Sequence, residues 1–464
     1  MSTAPSAELP GRESHEVLLR ESLTDVGNGR RLVSRHGVDL RHAPSLGGWL
    51  IWDGRRWARD DSGEIERRAK ETARAMYGVV TRIKDTTKRG QFARWAVRSE
   101  DAARIAAMIR LGETEPGVRV GAGELDRDPW ALCVMNGVIN LRTGELRPHQ
   151  RDDLMTKLAP VEYHADAECP TWDGFIKTIT AGDAALGGYL QRAIGYALTG
   201  DTSEHCLFVL HGGGANGKST FLNAVRSVLD DYARQTATET LLRRHGQAVN
   251  NDVARLQGAR FVTAAEIEGG RKFDEALIKQ ITGGDPVSAR YLYREHFEFV
   301  PAFKIFFAVN HLPRVDGTDQ GIWRRMRLIP FTVTIPDDKQ DRQLPVRLAG
   351  ELPGILRWAV EGCLDWQRAG LKTPDAVTAA TSGYRDEMDV VGDFIAECCV
   401  VDPAATVPSA TLYSAYEVWC AGDGERAVSK QEFGMRLGER GCTPCRVNKV
   451  RAWRGLALTD PVTR

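Results

Sequence analysis

The sequence has no surplus of charge of either sign, since 62 basic side chains stand against 62 acidic ones in 464 residues. Net charge therefore argues neither for nor against nucleic acid as a partner. The chain also lacks any run of about 18 apolar residues, and its start, Met1-Ser-Thr-Ala-Pro-Ser-Ala-Glu-Leu-Pro10, has no basic stretch followed by an apolar one. The expectation is a soluble cytoplasmic protein without membrane contact. Cysteine is present without a framework: nine residues, an odd number at irregular spacing, point to reduced thiols rather than disulfides. Cys442-Thr-Pro-Cys445 has no second Cys or His pair and reads as structural, not as a zinc site. Internal repeats and low-complexity tracts are missing too. At a prior of about 150 residues per domain, the length suggests about three domains.

What is present is a phosphate loop. Residues 207–220 read Leu-Phe-Val-Leu-His-Gly-Gly-Gly-Ala-Asn-Gly-Lys-Ser-Thr, an apolar strand running into Gly212-x4-Gly217-Lys218-Ser219. Glycines let successive N–H groups turn toward phosphate oxygens, Lys218 supplies a mobile cation, and the Ser219 hydroxyl can ligate Mg2+. The apolar positions Phe221, Leu222, Val225, Val228 and Leu229 continue at helical spacing, so a helix N-terminus faces the phosphates. Gly212, Gly213, Gly214, Ala215, Asn216, Gly217, Lys218, Ser219 and Thr220 are therefore the candidate nucleotide-binding residues. A glycine-rich turn that binds nothing is the alternative, and the strand before, the helix after and the filled motif positions argue against it.

Around this loop the chain divides into segments. Residues 1–25, rich in Ser, Pro, Glu and Arg, read as a disordered tail. Residues 26–158 read as an α+β N-terminal domain with hairpin signals at Trp52-Asp-Gly-Arg-Arg-Trp57 and at Thr143-Gly144. Between them, Glu64 to Leu111 reads as two or three helices bearing a basic cluster, which either tracks a phosphate backbone or forms a solvated surface paired with acids. Residues 159–202 form an expected helical collar, 203–340 an α/β nucleotide-binding core, and 341–388 a helical segment. Residues 389–464 suggest three short helices and a β-wing, a winged-helix-like domain whose Ser429-x-x-Glu432 opens the third helix. There Lys430, Arg436, Arg446, Lys449, Arg451 and Arg454 are candidate backbone contacts or a solvated surface.

Hydrolysis at a phosphate loop needs a second carboxylate at the end of another strand. Arg260-Phe-Val-Thr-Ala-Ala-Glu266-Ile-Glu268 ends an apolar strand at Glu266, the first candidate for the metal and water role, with Glu268 second or a loop cap. Phe303-Lys-Ile-Phe-Phe-Ala-Val-Asn310 presents Asn310 where another apolar run stops, either to orient the lytic water or to cap the turn before Pro313. Trp323-Arg324-Arg325-Met-Arg327 places three guanidiniums ahead of a fourth strand, and Arg324 is the candidate to neutralise charge on a transferring phosphoryl group.

This order of elements, with Lys279-Gln-Ile-Thr-Gly-Gly-Asp285-Pro-Val-Ser-Ala-Arg290-Tyr-Leu-Tyr293 between Glu266 and Asn310, resembles the phage and plasmid primase-helicases, superfamily 3 AAA+ helicases related to the poxvirus primase-helicase. The resemblance implies that Lys218 and Ser219 bind ATP and Mg2+, that Glu266 is the Walker B acid and a metal ligand, that Asn310 is sensor 1, and that Arg324 is an arginine finger. It implies a homo-hexameric ring on single-stranded or forked DNA, in the cytoplasm of a bacterial host. A separate primase or replication initiator is a further expected partner. The pore hairpin falls at about Arg290 to His296, where Arg290, Arg294 and His296 meet phosphates and Tyr291 or Tyr293 stacks on bases. The alternative is a hairpin packed on its own core. No paired-aspartate strand motif with a catalytic His precedes the collar, so lost primase activity is expected. Ala265-Glu266 also departs from the two adjacent acids common in the family.

The leading expectation is thus an ATP-dependent DNA helicase or translocase in replication of a phage, prophage or plasmid. An origin-binding or scaffold protein whose ATP site only controls assembly is the alternative. A small-molecule kinase is a third class, against which Asn310 and the Arg324-Arg325 strand argue.

Overall fold

The computed structural model of the chain describes residues 13–243, 251–265, 271–291, 295–315, 320–422 and 427–459. Helices α1 (Glu13–Arg20) and α2 (Asp25–His36) lead into an antiparallel sheet of β1 (Leu40–Ala43), β2 (Gly48–Trp52) and β3 (Trp57–Arg59). Helices α3 (Glu64–Val79), α4 (Thr86–Ser99) and α5 (Ala102–Gly112) follow, then a second antiparallel sheet of β4 (Ala131–Val134), β5 (Gly137–Asn140) and β6 (Glu145–Arg147). Trp52 pairs with Trp57 and Asn140 with Glu145, so both hairpins form where the sequence carries Asp-Gly and Thr-Gly.

From Glu13 onward the expected disordered tail is instead helical and docked. Leu18 is buried with Met76, Val79, Phe92 and Ala96. The buried Arg31 guanidinium donates to the carbonyls of Leu18 at 2.9 Å and Ser22 at 2.8 Å, and to that of Glu21. Polar local composition hides this, because the order comes from partners distant in sequence.

The collar consists of α6 (Pro170–Ile179) and α7 (Ala184–Leu198). Next come β7 (Leu207–His211), α8 (Lys218–Leu229), β8 (Ala233–Gln235), α9 (Asn251–Ala254), β9 (Phe261–Ala265) and α10 (Glu275–Thr282). A two-stranded hairpin of β10 (Val287–Arg290) and β11 (His296–Phe299) precedes β12 (Lys304–Val309), α11 (Gln320–Trp323) and β13 (Met326–Pro330). The sheet order is β13-β7-β12-β9-β8 with every pairing parallel, so the expected α/β class holds for this region. Successive residues of each strand enter opposite cores. Phe208, Leu210, Phe306 and Ala308 meet Trp172, Phe221 and Trp358, whereas Leu207, Val209, Ile305, Phe307 and Val309 meet Val262, Phe273 and Tyr384. Strands covered on both faces must be apolar at every position, which is why they read as continuous runs.

Two buried cations fix the lower end of this sheet. Lys304 donates to the carbonyls of Asp201 at 3.1 Å, Ala302 at 3.2 Å and Thr199. Arg260 donates to those of Leu198 at 2.8 Å, Ala131 at 2.9 Å and Asp128 at 3.2 Å. Burial holds the Lys304 amine well below its ordinary range. The carbonyls they satisfy tie the N-terminal ends of β12 and β9 to the collar and to β4.

Helices α12 (Leu344–Gly350), α13 (Leu352–Ala369) and α14 (Asp375–Glu387) pack back on the core, with α13 against α7. The last region holds α15 (Val390–Cys398), β14 (Cys399–Pro408), α16 (Ser409–Gly422), α17 (Lys430–Glu439), β15 (Thr443–Val447) and β16 (Val450–Leu458), its antiparallel sheet ordered β14-β16-β15. Ser429 caps α17 by accepting from the Glu432 amide at 3.3 Å. The Glu432 carboxylate turns instead to Arg436 at 2.7 Å. Among the described residues no helix is long and apolar enough to cross a membrane.

Candidate nucleotide site

The loop between β7 and α8 is shaped by close approaches that only certain residues permit. A Cβ at Gly212 would sit 2.1 Å from the Phe331 carbonyl oxygen, and Gly217 has φ +85° with the collar's Ile179 only 2.6 Å from where a Cβ would stand. The Phe331 amide donates to the His211 carbonyl and the Ile335 amide to that of Ala215, both at 2.7 Å. The chain after β13 thus holds the loop at both ends. Buried Asn216 donates to the carbonyls of Gly213 and, at 3.4 Å, Phe331. Gly213, Gly214, Ala215 and Ser219 stay exposed.

Lys218 opens α8 and folds back into the loop. Its ammonium donates to the Gly212 carbonyl at 2.7 Å, the Gly213 carbonyl at 3.2 Å, the Asn216 side-chain oxygen at 3.1 Å and the Asn310 side-chain oxygen at 3.1 Å. Burial lowers its pKa. Asn310 reaches it because β12 lies beside β7 and both strands end at the same level, with Val309 opposite His211. Sequence reasoning overlooked His211. It is half-buried at the end of β7, and burial first, then the Lys218 charge, depresses its pKa. An imidazole kept neutral there leaves Lys218 as the cation of the loop. The available signal was a polar residue closing an apolar strand directly before the first glycine.

Beside the loop lies a cavity of about 710 Å3. Its walls are α6, through Thr171, Gly174, Phe175 and Thr178, the loop itself at Ala215, Gly217 and Thr220, and the segment from Ile335 to Arg347. Glu351, just ahead of α13, fixes the α6 wall by accepting from the amides of Thr171 and Trp172, each at 3.0 Å. A cavity of this size suits a nucleoside-sized ligand. Exposed loop amides, the α8 N-terminus, the Lys218 ammonium and the Ser219 hydroxyl together suit an anion with a coordinated cation.

The other predicted residues are placed differently. Glu266 and Glu268 lie outside the described residues, as do Tyr293 and Arg294. Strand β9 runs beside β12 up to Ala265, which stands opposite Ala308. Arg324 is exposed just ahead of β13, whose Met326 pairs with Leu207 while Pro330 pairs with His211. It therefore sits at the end of the sheet opposite the loop, about 15 Å away along the strand direction, and does not join Lys218 within one chain. Arg290 and His296 face each other in the β10–β11 hairpin, Arg290 half-buried and His296 exposed. Tyr291 stacks on Phe297 at 5.4 Å and donates to the Ala254 carbonyl at 3.0 Å, so its ring is packed into its own domain. In the last region Arg436 is buried and paired with Glu432, which removes it from the candidate backbone contacts; Arg446, Lys449, Arg451 and Arg454 are exposed.

Three family models match the chain: D5 N terminal like over residues 29–181, a family of unknown function over 210–325, and Poxvirus D5 protein-like over 386–440. A protein of Acanthamoeba polyphaga mimivirus named "Putative helicase" is 29% identical over 299 residues, 60% of this chain and 31% of its own length. A "Putative helicase" of Frog virus 3 is 24% identical over 421 residues, covering 72% of this chain and 43% of its own. A "Putative primase" of African swine fever virus is 23% identical over 321 residues, 63% and 33% respectively. The chain spans less than half the length of each of these curated relatives. Among solved structures, the apo NrS-1 C terminal region aligns with TM-score 0.42 at 10% identity, over 77% of this chain and 90% of that one.

Proposed function

This chain belongs to the D5-like primase-helicase family, and on that premise we propose that it is an ATP-dependent DNA helicase or translocase with a superfamily 3 AAA+ core. The observation that carries the reading is the contact of Lys218 with Asn310 in a phosphate loop whose Ala215, Gly217 and Thr220 line a nucleoside-sized cavity. Loop amides and Lys218 hold the phosphates, the cavity holds the nucleoside, and Ser219 with Glu266 holds Mg2+. Bound ATP with its metal supplies the phosphoanhydride bond whose cleavage drives movement. Asn310, released from Lys218 when phosphate takes its place, orients the attacking water.

Arg324 stands too far from Lys218 of its own chain to act there, which favours a site completed by a neighbouring copy. The homo-hexameric ring on single-stranded or forked DNA is part of the proposal, with Arg290 and His296 of the β10–β11 hairpin, together with Tyr293 and Arg294, as the residues that meet the strand. A phage, prophage or plasmid as the replicon served, and a separate primase or initiator as partner, are parts of the same proposal. The test is displacement of a labelled strand from a fork. Unwinding with ATP, abolished by Lys218→Ala and by Glu266→Gln, is expected; a Glu266→Gln protein that still supports replication without turnover supports the scaffold alternative instead.

A further inference from the structure

The basic cluster of the N-terminal region divides into two kinds of side chain. On α3 every cation has an acid: Arg67 lies 2.7 Å and Arg68 2.9 Å from Glu64, Lys70 2.5 Å from Glu66, and Arg74 3.8 Å from Glu100. From Arg82 to Arg98 the pattern changes. Arg82, Lys84, Lys88, Arg89, Arg94 and Arg98 are all exposed, and no carboxylate among the described residues comes within ion-pair distance of them. The lone acid of this stretch, Asp85, turns its carboxylate to the helix end, accepting from the Lys88 amide at 3.0 Å.

Helix geometry sorts these charges. Phe92, Ala96 and Ser99 face the core, while Arg94 and Arg98 lie on the opposite side with Gln91 flanking them; Lys88, four residues before Phe92, is exposed at the first turn, at the edge of the core-facing side. The platform is fixed: Trp95 donates from its ring nitrogen to Asn28 at 3.1 Å, Asn28 donates to Ser99 at 2.9 Å, and the Arg104 guanidinium covers the Trp95 ring at 4.4 Å. Arg94 and Arg98, four residues apart, repel one another in the free protein. A polyanion laid along the face relieves that repulsion. Because Phe92 is buried and Trp95 is already covered by Arg104, neither ring that α4 itself carries is open to stack on a base.

We propose that the exposed face of α4 and the turn before it form a sequence-independent contact for a nucleic-acid phosphate backbone, separate from the β10–β11 hairpin. The inference rests on the reading of this chain as acting on nucleic acid. Guanidinium and ammonium groups meet phosphates there, and a contact made to the backbone charge carries no sequence information.

The test uses the full chain carrying Lys88→Gln, Arg94→Gln and Arg98→Gln together, with fluorescence anisotropy on two unrelated duplexes over a salt series. A loss of about tenfold or more at low salt is expected on both duplexes, with the slope of log K against log salt shallower by about 2.7. ATP turnover without DNA should be retained. Unchanged affinity and slope in a variant with native circular dichroism overturn the proposal. So does loss on one duplex alone, which means base reading, or loss of binding to polyglutamate with DNA affinity intact, which means an acidic protein partner. If the triple variant misfolds, Arg94→Gln and Arg98→Gln singly are read the same way, each expected to lower the slope by about 0.9. A wild-type chain that binds DNA through this face yet does not hydrolyse ATP leaves the contact standing and removes the motor reading.

Discussion

The Lys218 ammonium lies 3.1 Å from the side-chain oxygen of Asn310, a residue 92 positions later, just past the end of β12. An ammonium has three protons and Lys218 has four acceptors, so a phosphate oxygen arriving at the loop displaces one of them. Asn310 is the acceptor that belongs to another element. Its release would link occupancy of the loop to the end of β12.

Replacing Lys218 by Ala should abolish ATP turnover and weaken nucleotide binding. Asn310→Ala should lower kcat by about 100-fold with KM little changed, because the lost amide acts on the attacking water rather than on the bound nucleotide. Steady-state kinetics separate the two. A raised KM with intact kcat for Asn310→Ala would show that the amide only shapes the loop.

Glu351 is the remote support of the cavity wall, accepting from two amides at the start of α6. Glu351→Ala should cost about 1 kcal/mol of stability through the lost cap. It should also raise KM for ATP while kcat holds. Thermal melts and an ATP titration check both; an unchanged KM would uncouple α6 from nucleotide binding.

His36 gives a pH dependence. Burial first, then the charges of Arg35 and Arg68, lower its pKa from 6.5 to about 4. The folded form therefore stays neutral while the unfolded chain takes up a proton below its ordinary value. Stability should fall as pH drops from about 6.5 to about 4, and this group should add nothing further below that. Melts across the range, compared with His36→Gln, should show a flatter profile in the variant; identical profiles would rule His36 out as the source.

Arg324 supplies a test of shared sites. Arg324→Ala and Lys218→Ala chains, each inactive alone, should recover part of the turnover when mixed, because some interfaces then pair an intact loop with an intact arginine. Absence of recovery in mixed assemblies would place the role of Arg324 elsewhere.

Much of this arrangement was legible in the sequence, and the exceptions share a cause. The Gly212 to Ser219 loop and the strands at Leu207, Phe261 and Lys304 announce themselves because both sheet faces are buried and the runs are apolar throughout. The helix from Glu13 was hidden because its partners, Arg31 and Phe92 among them, lie far along the chain. Strand β14 was hidden by Asp402-Pro403, where its pairing with β16 shifts register between Asp402 and Thr406. The placement of Arg324 depends on which end of β13 meets which end of β7, and strand direction is not written in the local sequence.

The central claim, that hydrolysis at Lys218 serves movement on DNA within an assembly, is tested most directly by ATP turnover with and without single-stranded DNA on fractions sized by light scattering. The account predicts a multimer whose turnover rises with DNA and vanishes in Lys218→Ala. A chain that stays monomeric at every concentration and hydrolyses ATP at the same rate with or without DNA would contradict it.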